Sequence, residues 1–292
     1  MFPENFEYVC PATVAEAAKF LDQHPEDAKI LAGGQSLIPI LKLRLAAPRF
    51  VVDIGRIQDL KSIREDDGNL DIGSLVRHAE IERSAVVARH CPLLAETAAE
   101  IGDVQVRNRG TIGGSLAHAD PAGDFPAAIL ALGAVLVAES AKGRREIAAE
   151  DFFLDIMSSA LYPNEVLTSI RVPKTGPRTG TAYVKMHQQA SGFAIVGVAS
   201  IVTLDMQGRV ADARVAITGV DSAPYRAKQV ENRLRGTAAS SQDIAEASRA
   251  SEGVVPLSDI HASAEYRKEV GGVLVGRTLE AALARARGGP GR

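Results

Sequence analysis

Leu31-Ala32-Gly33-Gly34-Gln35-Ser36-Leu37 and Arg107-Asn108-Arg109-Gly110-Thr111-Ile112-Gly113-Gly114-Ser115 are the two stretches on which the reading of this chain turns. In the first, Lys29-Ile30-Leu31 has the apolar character of a short strand and Ala32 to Ser36 is a tight turn. Leu37 to Leu45 then resumes an apolar helical run with Pro39 near its first turn. In the second, Val104 to Val106 reads as a strand-like approach to the glycines, and an apolar run follows from Phe125. Both are expected to be strand, glycine turn, helix. Glycine tolerates positive φ and has no Cβ, so backbone amides in such turns can face a concavity and accept a close neighbour. Together with a helix N-terminus, these amides suit a phosphate or pyrophosphate. Two such turns, followed by the hydroxyl residues Ser36 and Ser115, can cradle a dinucleotide from two sides. Either one alone reads as an ordinary tight turn.

Neither stretch fits G-x-G-x-x-G or the P-loop pattern, which leaves a Rossmann or ATPase assignment without support. A G-x-S-x-G elbow and an H-E-x-x-H helix are also absent from the sequence, so hydrolase chemistry of those kinds is set aside. A chain of 292 residues implies two or three packed units. With 46% apolar and 24% charged residues, its composition is that of an ordinary globular protein. A net charge of −3 without long like-charge runs argues against nucleic acid or an anionic membrane as partner. The opening Met1 to Cys10 carries acids and no Lys or Arg, unlike a secretory leader. The apolar run Phe125 to Ala138 contains Pro126 and Gly133 and is shorter than a membrane span of roughly 17–25 residues. A cytoplasmic location is expected. Cys10 and Cys91 are the only cysteines, too few for a disulfide framework or for a cluster held by four thiolates. Any iron-sulfur centre linked to this chain must therefore sit in another polypeptide.

Outward from the two turns, Thr13 to His24 reads as a helix opened by a Thr-x-x-Glu box with Val14, Ala17, Ala18 and Leu21 on one face. Phe50 to Asp53, Leu70 to Ile72 and Val166 to Val172 read as strands, and Pro92 to Ile101 as a helix. Pro173, Gly176, Pro177 and Gly180 punctuate a boundary placed near residue 176. Beyond it, Thr181 to His187, Phe193 to Leu204 and Ala213 to Val220 are expected as three antiparallel strands, the last two joined through Gln207-Gly208. The periods of Ala227 to Arg235, Gln242 to Ser251 and Ala264 to Ala286 are helical, and Gly288 to Arg292 reads as a loose tail.

The two stretches, together with Lys42-Leu43-Arg44, Leu116-Ala117-His118-Ala119-Asp120-Pro121, Asp124-Phe125-Pro126-Ala127, Tyr183-Val184-Lys185 and Phe193 to Ala199, closely resemble the FAD-binding medium subunit of the carbon monoxide dehydrogenase and xanthine dehydrogenase family of molybdenum hydroxylases. The resemblance covers nearly the whole chain. It implies an α+β fold: a two-subdomain FAD-binding unit of the vanillyl-alcohol-oxidase (PCMH) type over residues 1–176, with subdomains of about 1–55 and 56–176. A C-terminal unit over 177–288, a three-stranded antiparallel sheet with helices, is implied to follow. By position, it implies that Ala32, Gly33, Gly34, Gln35 and Ser36, with Thr111, Ile112, Gly113, Gly114 and Ser115, hold the FAD pyrophosphate. Asp124 matches an acid that binds the FAD, and Lys185 a basic residue on the flavin side.

The implied activity is electron transfer within a heteromer. A large subunit carries the molybdenum-pterin cofactor, a small subunit carries iron-sulfur clusters, and the FAD of this chain passes electrons to an external acceptor. A dimer of heterotrimers is the assembly expected of the family. The chain departs from it at Ser191-Gly192-Phe193-Ala194, where relatives often read Ser-Gly-Asp-Phe-Ala, and Phe193 becomes the candidate aromatic near the flavin ring. Ile101 and Leu167 align with apolar residues lining the cofactor site, although core packing accounts for them as well. Arg107 and Arg109 are left outside the site. His118 and Asp120 lie beside the second turn, yet no third group completes an acid-base set and the flavin itself carries the redox chemistry. Two other readings stand beside this one: a free-standing FAD oxidase or dehydrogenase of the same fold, and a non-catalytic nucleotide-binding scaffold.

Overall fold

A computed structural model describes residues 2–250 and 254–288. Three larger sheets follow one another along the described residues, with a two-stranded one beside the second. The first has β1 (Glu7–Val9), β2 (Ala28–Leu31) and β3 (Phe50–Asp53) in the order β1-β3-β2, with both pairings parallel. Parallel neighbours need crossover connections, here α1 (Val14–Gln23) and the segment holding α2 (Leu37–Lys42). Thr13 caps α1 by accepting a hydrogen bond from the Glu16 amide at 3.1 Å, and Ala17, Ala18 and Leu21 form its buried face. Phe50, Val52, Ile54 and Ile57 complete this small core.

The second sheet is antiparallel, in the order β4 (Ile63–Asp66), β5 (Asn69–Gly73), β10 (Val166–Pro173), β6 (Val135–Ser140) and β7 (Gly143–Ala148). A small hairpin, β8 (Phe153–Asp155) and β9 (Ser158–Ser159), lies between β7 and β10. Six helices lie between β5 and β6: α3 (His78–Arg83), α4 (Ala85–His90), α5 (Pro92–Glu100), α6 (Val104–Arg109), α7 (Ile112–His118) and α8 (Asp124–Leu132). Every residue of α8 is buried, and Phe125, Ile129, Leu93, Leu94, Ile112 and Leu116 knit the largest core. Complete burial of a side chain the size of Phe125 contributes roughly 1.5–3 kcal/mol.

The third sheet is a meander of β11 (Thr179–His187), β12 (Ala194–Leu204), β13 (Val210–Thr218) and β14 (Tyr225–Arg226). It packs against α9 (Lys228–Leu234), α10 (Ser241–Ser248) and α11 (Ala264–Ala286) around Val198, Val215, Leu274 and Leu279.

Two expectations are corrected. Val104 to Val106 is not a strand but the first turn of α6, because Asp103 caps it with Oδ1 accepting from the Val106 amide at 2.8 Å. The Val-x-Val alternation mimics a strand period, yet Val104 is largely exposed and pairs with no strand. The C-terminal sheet has four strands rather than three: β14 is only two residues long, too short to show alternation, and pairs with Ala216 and Ile217. The expected helix over Gln242 to Ser251 ends at Ser248, and Ser251 itself falls outside the described residues, as do residues 289–292 of the expected loose tail. Among the described residues, no helix is long and apolar enough to cross a membrane.

Candidate dinucleotide cleft

The first glycine turn leaves β2 at Leu31, whose carbonyl accepts from the Ile54 amide at 3.1 Å as the sheet ends. Gly34 takes φ of +76°, a conformation that disfavours any residue with a Cβ. Its carbonyl starts α2 by accepting from the Ile38 amide at 3.2 Å. Pro39 costs this helix little because its missing N–H falls in the first turn, where amides lack intrahelical partners. Among the described residues, the backbone amides of Gly33, Gly34, Gln35 and Ser36 meet no acceptor. They form a short run of available donors.

The second turn is built differently. Thr111 caps α7, its Oγ1 accepting from the Gly114 amide at 3.1 Å, and its carbonyl takes the Ser115 amide at 3.0 Å. The Ile112 amide donates to Val76 O at 3.0 Å and the Gly113 amide to Ser74 O at 2.9 Å. The His78 amide in turn donates to Gly110 O at 3.0 Å. The segment 74–78 leading from β5 into α3 therefore braces this turn by taking the amides of Ile112 and Gly113, while Thr111 takes those of Gly114 and Ser115. What the second turn offers the cleft is a rigid glycine wall and the side chains of Thr111 and Ser115.

The two turns face one another at backbone distance. A Cβ on Gly33 would lie 2.3 Å from Arg109 O and 2.8 Å from the Gly110 Cα, and one on Gly113 would lie 2.4 Å from the Ser74 Cβ. Gly33 has no room for a larger residue without separating the two turns, and Gly113 none without displacing Ser74. Between the turns and the units around them lies a cavity of about 530 Å³, within the roughly 300–1,000 Å³ typical of ligand sites. Ala32, Gly33, Gly34, Gln35, Ser36, Thr111, Gly113, Gly114, Ser115 and Asp124 line it. Ile112 points the other way and is fully buried in the core. Lys185 stands behind the wall and does not line the cavity.

Asp124 and Lys185 nevertheless belong to one cluster. Lys185 Nζ lies 3.0 Å from Asp124 Oδ1 and donates to Gly192 O at 2.6 Å, and Tyr183 donates its hydroxyl to Asp124. The Lys185 and Asp124 side chains are only 2% and 5% exposed. Burial pushes the Asp124 carboxyl up to about 6 against the pull of Lys185 and Tyr183, and burial with the Asp124 charge holds the Tyr183 phenol well above its ordinary range. Asp124 opens α8 while Tyr183 and Lys185 come from β11, so the cluster ties the C-terminal sheet to the cavity floor. It also fixes the 188–193 hairpin, whose Gly192 packs so tightly on Gly102 that a Cβ would lie 3.0 Å from its Cα. That hairpin presents Phe193, 45% exposed, to the cleft, which Ile101, Met157 and Leu161 also line.

Leu167, His118 and Asp120 also line the cavity, with Asp120 Oδ1 accepting from the Ala122 amide at 2.9 Å in a local turn. Arg107 is structural: its Nε donates to Glu82 at 3.0 Å and its Nη1 to Ile101 O at 3.0 Å. At Arg109 the carbonyl, not the guanidinium, meets the opposite turn. Sequence reasoning missed the brace 74–78, which carries no glycine motif and whose role arises from contacts with residues far along the chain.

The sequence matches two family models end to end: the FAD-binding domain in molybdopterin dehydrogenase over residues 4–175, and the carbon monoxide dehydrogenase flavoprotein C-terminal domain over residues 181–282. It is 42% identical to the 6-hydroxypseudooxynicotine dehydrogenase complex subunit alpha of Paenarthrobacter nicotinovorans, covering 98% of this chain and 97% of the relative. It superposes on a chain of carbon monoxide dehydrogenase from Hydrogenophaga pseudoflava with a TM-score of 0.93 at 40% identity, covering 98% of this chain and 99% of the other. Superposition on a chain of quinoline 2-oxidoreductase from Pseudomonas putida 86 gives 0.92 at 32% identity, over 98% and 99% of the two chains. Agreement of this extent in sequence and in fold leaves one conclusion: the chain belongs to the family of FAD-binding medium subunits of molybdenum hydroxylases.

Proposed function

We propose that the cleft holds FAD with its diphosphate against the first turn, and that the chain serves as the electron outlet of a heteromeric molybdenum hydroxylase. The observation that carries this reading is the run of unengaged amides at Gly33, Gly34, Gln35 and Ser36, in a turn set so close to the second that a Cβ on Gly33 would meet Arg109 O at 2.3 Å. Such amides are donors suited to phosphate oxygens. Thr111, Gly113, Gly114 and Ser115 form the facing wall, Ile112 anchors that wall in the core, and Asp124 with Lys185 sets the floor. When bound, FAD supplies electron transfer between a one-electron relay and an external acceptor.

The residues of this chain bind, orient and shield. The 188–193 hairpin covers one side of the cleft and presents Phe193 as the aromatic neighbour of the ring. Cys10 and Cys91 provide no cluster ligand set, and no group of three or more metal-ligating side chains occurs among the described residues. By membership of this family, the iron-sulfur clusters are assigned to a small partner subunit and the molybdenum-pterin cofactor to a large one, and the assembly we propose is a cytoplasmic dimer of heterotrimers. The relatives are named for different substrates, and the two solved ones superpose closely on this chain, which fits a substrate chosen in another polypeptide. Within the chain, residues 1–176, with subdomains of about 1–55 and 56–176, form the FAD-binding unit, and residues 177–288 form the C-terminal unit.

Replacing Gly33 by Val tests the reading in the purified complex. The expected result is loss of FAD by absorbance, with substrate oxidation retained when an artificial dye accepts electrons from the partner clusters. Full FAD retention in the variant contradicts the site. Purification of wild-type chain as an active flavin oxidase without other subunits contradicts the role.

A further inference from the structure

The brace beneath the second turn carries two polar groups without partners. Ser74 and His78 are 3% and 4% exposed, both line the cleft, and neither Ser74 Oγ nor His78 Nδ1 has a hydrogen-bond partner. Buried polar groups are almost always paired, because leaving one unpaired forfeits its hydration. The neighbouring backbone cannot serve them. Around Ser74 the chain is already engaged, with the Ser74 amide on Thr168 O at 2.9 Å and the Ser74 carbonyl taking the Gly113 amide. The His78 ring is wedged between Phe125, centroids 5.3 Å apart, and Gly110, where a Cβ would lie 2.5 Å from Nε2. The ring cannot swing away to find a partner.

Gly110 is also the residue whose Cα a Cβ on Gly33 would meet at 2.8 Å. His78 and the first turn are thus separated by the thickness of one glycine, so whatever Ser74 and His78 contact lies next to whatever the first-turn amides hold. A serine hydroxyl donates one hydrogen bond and accepts others, and the Nδ1 of a neutral imidazole donates or accepts one according to the tautomer. That capacity matches a neutral hydroxyl better than a phosphate, which calls for several donors or a cation. Burial keeps the His78 imidazole neutral by lowering it to about 4.

We propose that Ser74 and His78 form a polar seat for a hydroxyl-bearing sugar segment of the bound dinucleotide, adjacent to its diphosphate. This rests on the FAD reading given above. Such segments flank the diphosphate on both sides, the ribityl chain toward the flavin and the ribose toward the adenine, and the seat serves one of them.

The test uses the full chain purified with its partner subunits, stripped of flavin and titrated with FAD by fluorescence. Ser74→Ala and His78→Phe are each expected to weaken FAD binding about tenfold, and His78→Gln, which keeps a polar tip, to weaken it less. Two analogues locate the hydroxyl: one with the ribityl chain replaced by a plain alkyl chain, one with a 2′,3′-dideoxy ribose. The penalty of Ser74→Ala is expected to vanish with whichever analogue lacks the contacted group. Thermal melting of the stripped protein separates binding from structure, because Ser74→Ala removes an unpaired buried hydroxyl and is expected not to lower Tm. Affinities within twofold of wild type in both Ser74→Ala and His78→Phe overturn the seat. So does an undiminished penalty with both analogues, or a weakened affinity matched by a lowered Tm. Failure of the wild-type complex to bind FAD at all overturns the underlying FAD reading instead.

Discussion

Burial acts on His78 and Asp124, both lining the cleft, in opposite directions. The His78 imidazole is lowered to about 4 from 6.5, so below pH 6.5 the unfolded chain takes up a proton that the folded chain refuses. The stability His78 contributes is whole above pH 6.5 and is lost as pH falls through 4. Asp124 is raised to about 6 from 3.8, so its contribution is whole below pH 3.8 and lost as pH rises through 6. Wild type carries both slopes and they offset. The difference in unfolding free energy between wild type and His78→Phe isolates the histidine, and it is expected to fall by about 3 kcal/mol between pH 6.5 and 4 in urea titrations. A difference that stays constant with pH contradicts a neutral buried imidazole. Asp124→Asn removes the charge that Lys185 is buried against, leaving the ammonium with Gly192 O. The expected cost is on the order of 3–5 kcal/mol, read from the urea midpoint, with partial recovery when Lys185→Met is added so that no charge is stranded.

At the level of elements, the cleft depends on short pieces held by caps rather than on long helices. α6 spans Val104–Arg109 and exposes much of its surface, so Asp103 contributes a large share of its definition. Asp103→Ala is expected to lower stability by about 1 kcal/mol in thermal melts and to weaken FAD retention, since α6 ends at the Arg109 and Gly110 backbone that meets Gly33. Unchanged FAD content would show that the wall stands without this cap. The sequence made β2, the first turn and α2 legible because strand, glycines and helix follow one another locally. It misled at Val104 to Val106, where two valines two apart outweighed an aspartate whose capping role needs only the next three residues. β14 was invisible for another reason: two residues carry no period, and their pairing with β13 is decided by the sheet edge they meet.

For the whole molecule, the cleft draws on all three sheets: the first turn from one, the brace, second turn and Asp124 from the next, and the 188–193 hairpin from the last. The ordered motifs exposed the family and hence most of the cleft lining, because those residues sit in contiguous runs. Ser74, His78 and the Gly102 to Gly192 contact lay beyond reach, since each acquires meaning only through residues distant in the chain. Gly192 has φ of +74° as well as that contact, so Gly192→Val is expected to displace the hairpin and lower FAD affinity about tenfold in fluorescence titration while leaving partner assembly intact. An unaltered affinity would remove the hairpin from the site.

The central claim is an asymmetry between two facing turns, one offering its amides to a diphosphate and the other spending them on its own scaffold. Hydrogen exchange by mass spectrometry on the flavin-stripped complex, before and after adding FAD, tests it most directly. Peptides spanning residues 33–36 are expected to exchange quickly without FAD and slowly with it, while those spanning 112–115 stay slow in both states. Exchange at 33–36 that is indifferent to FAD, with new protection confined to 112–115, would contradict the claim.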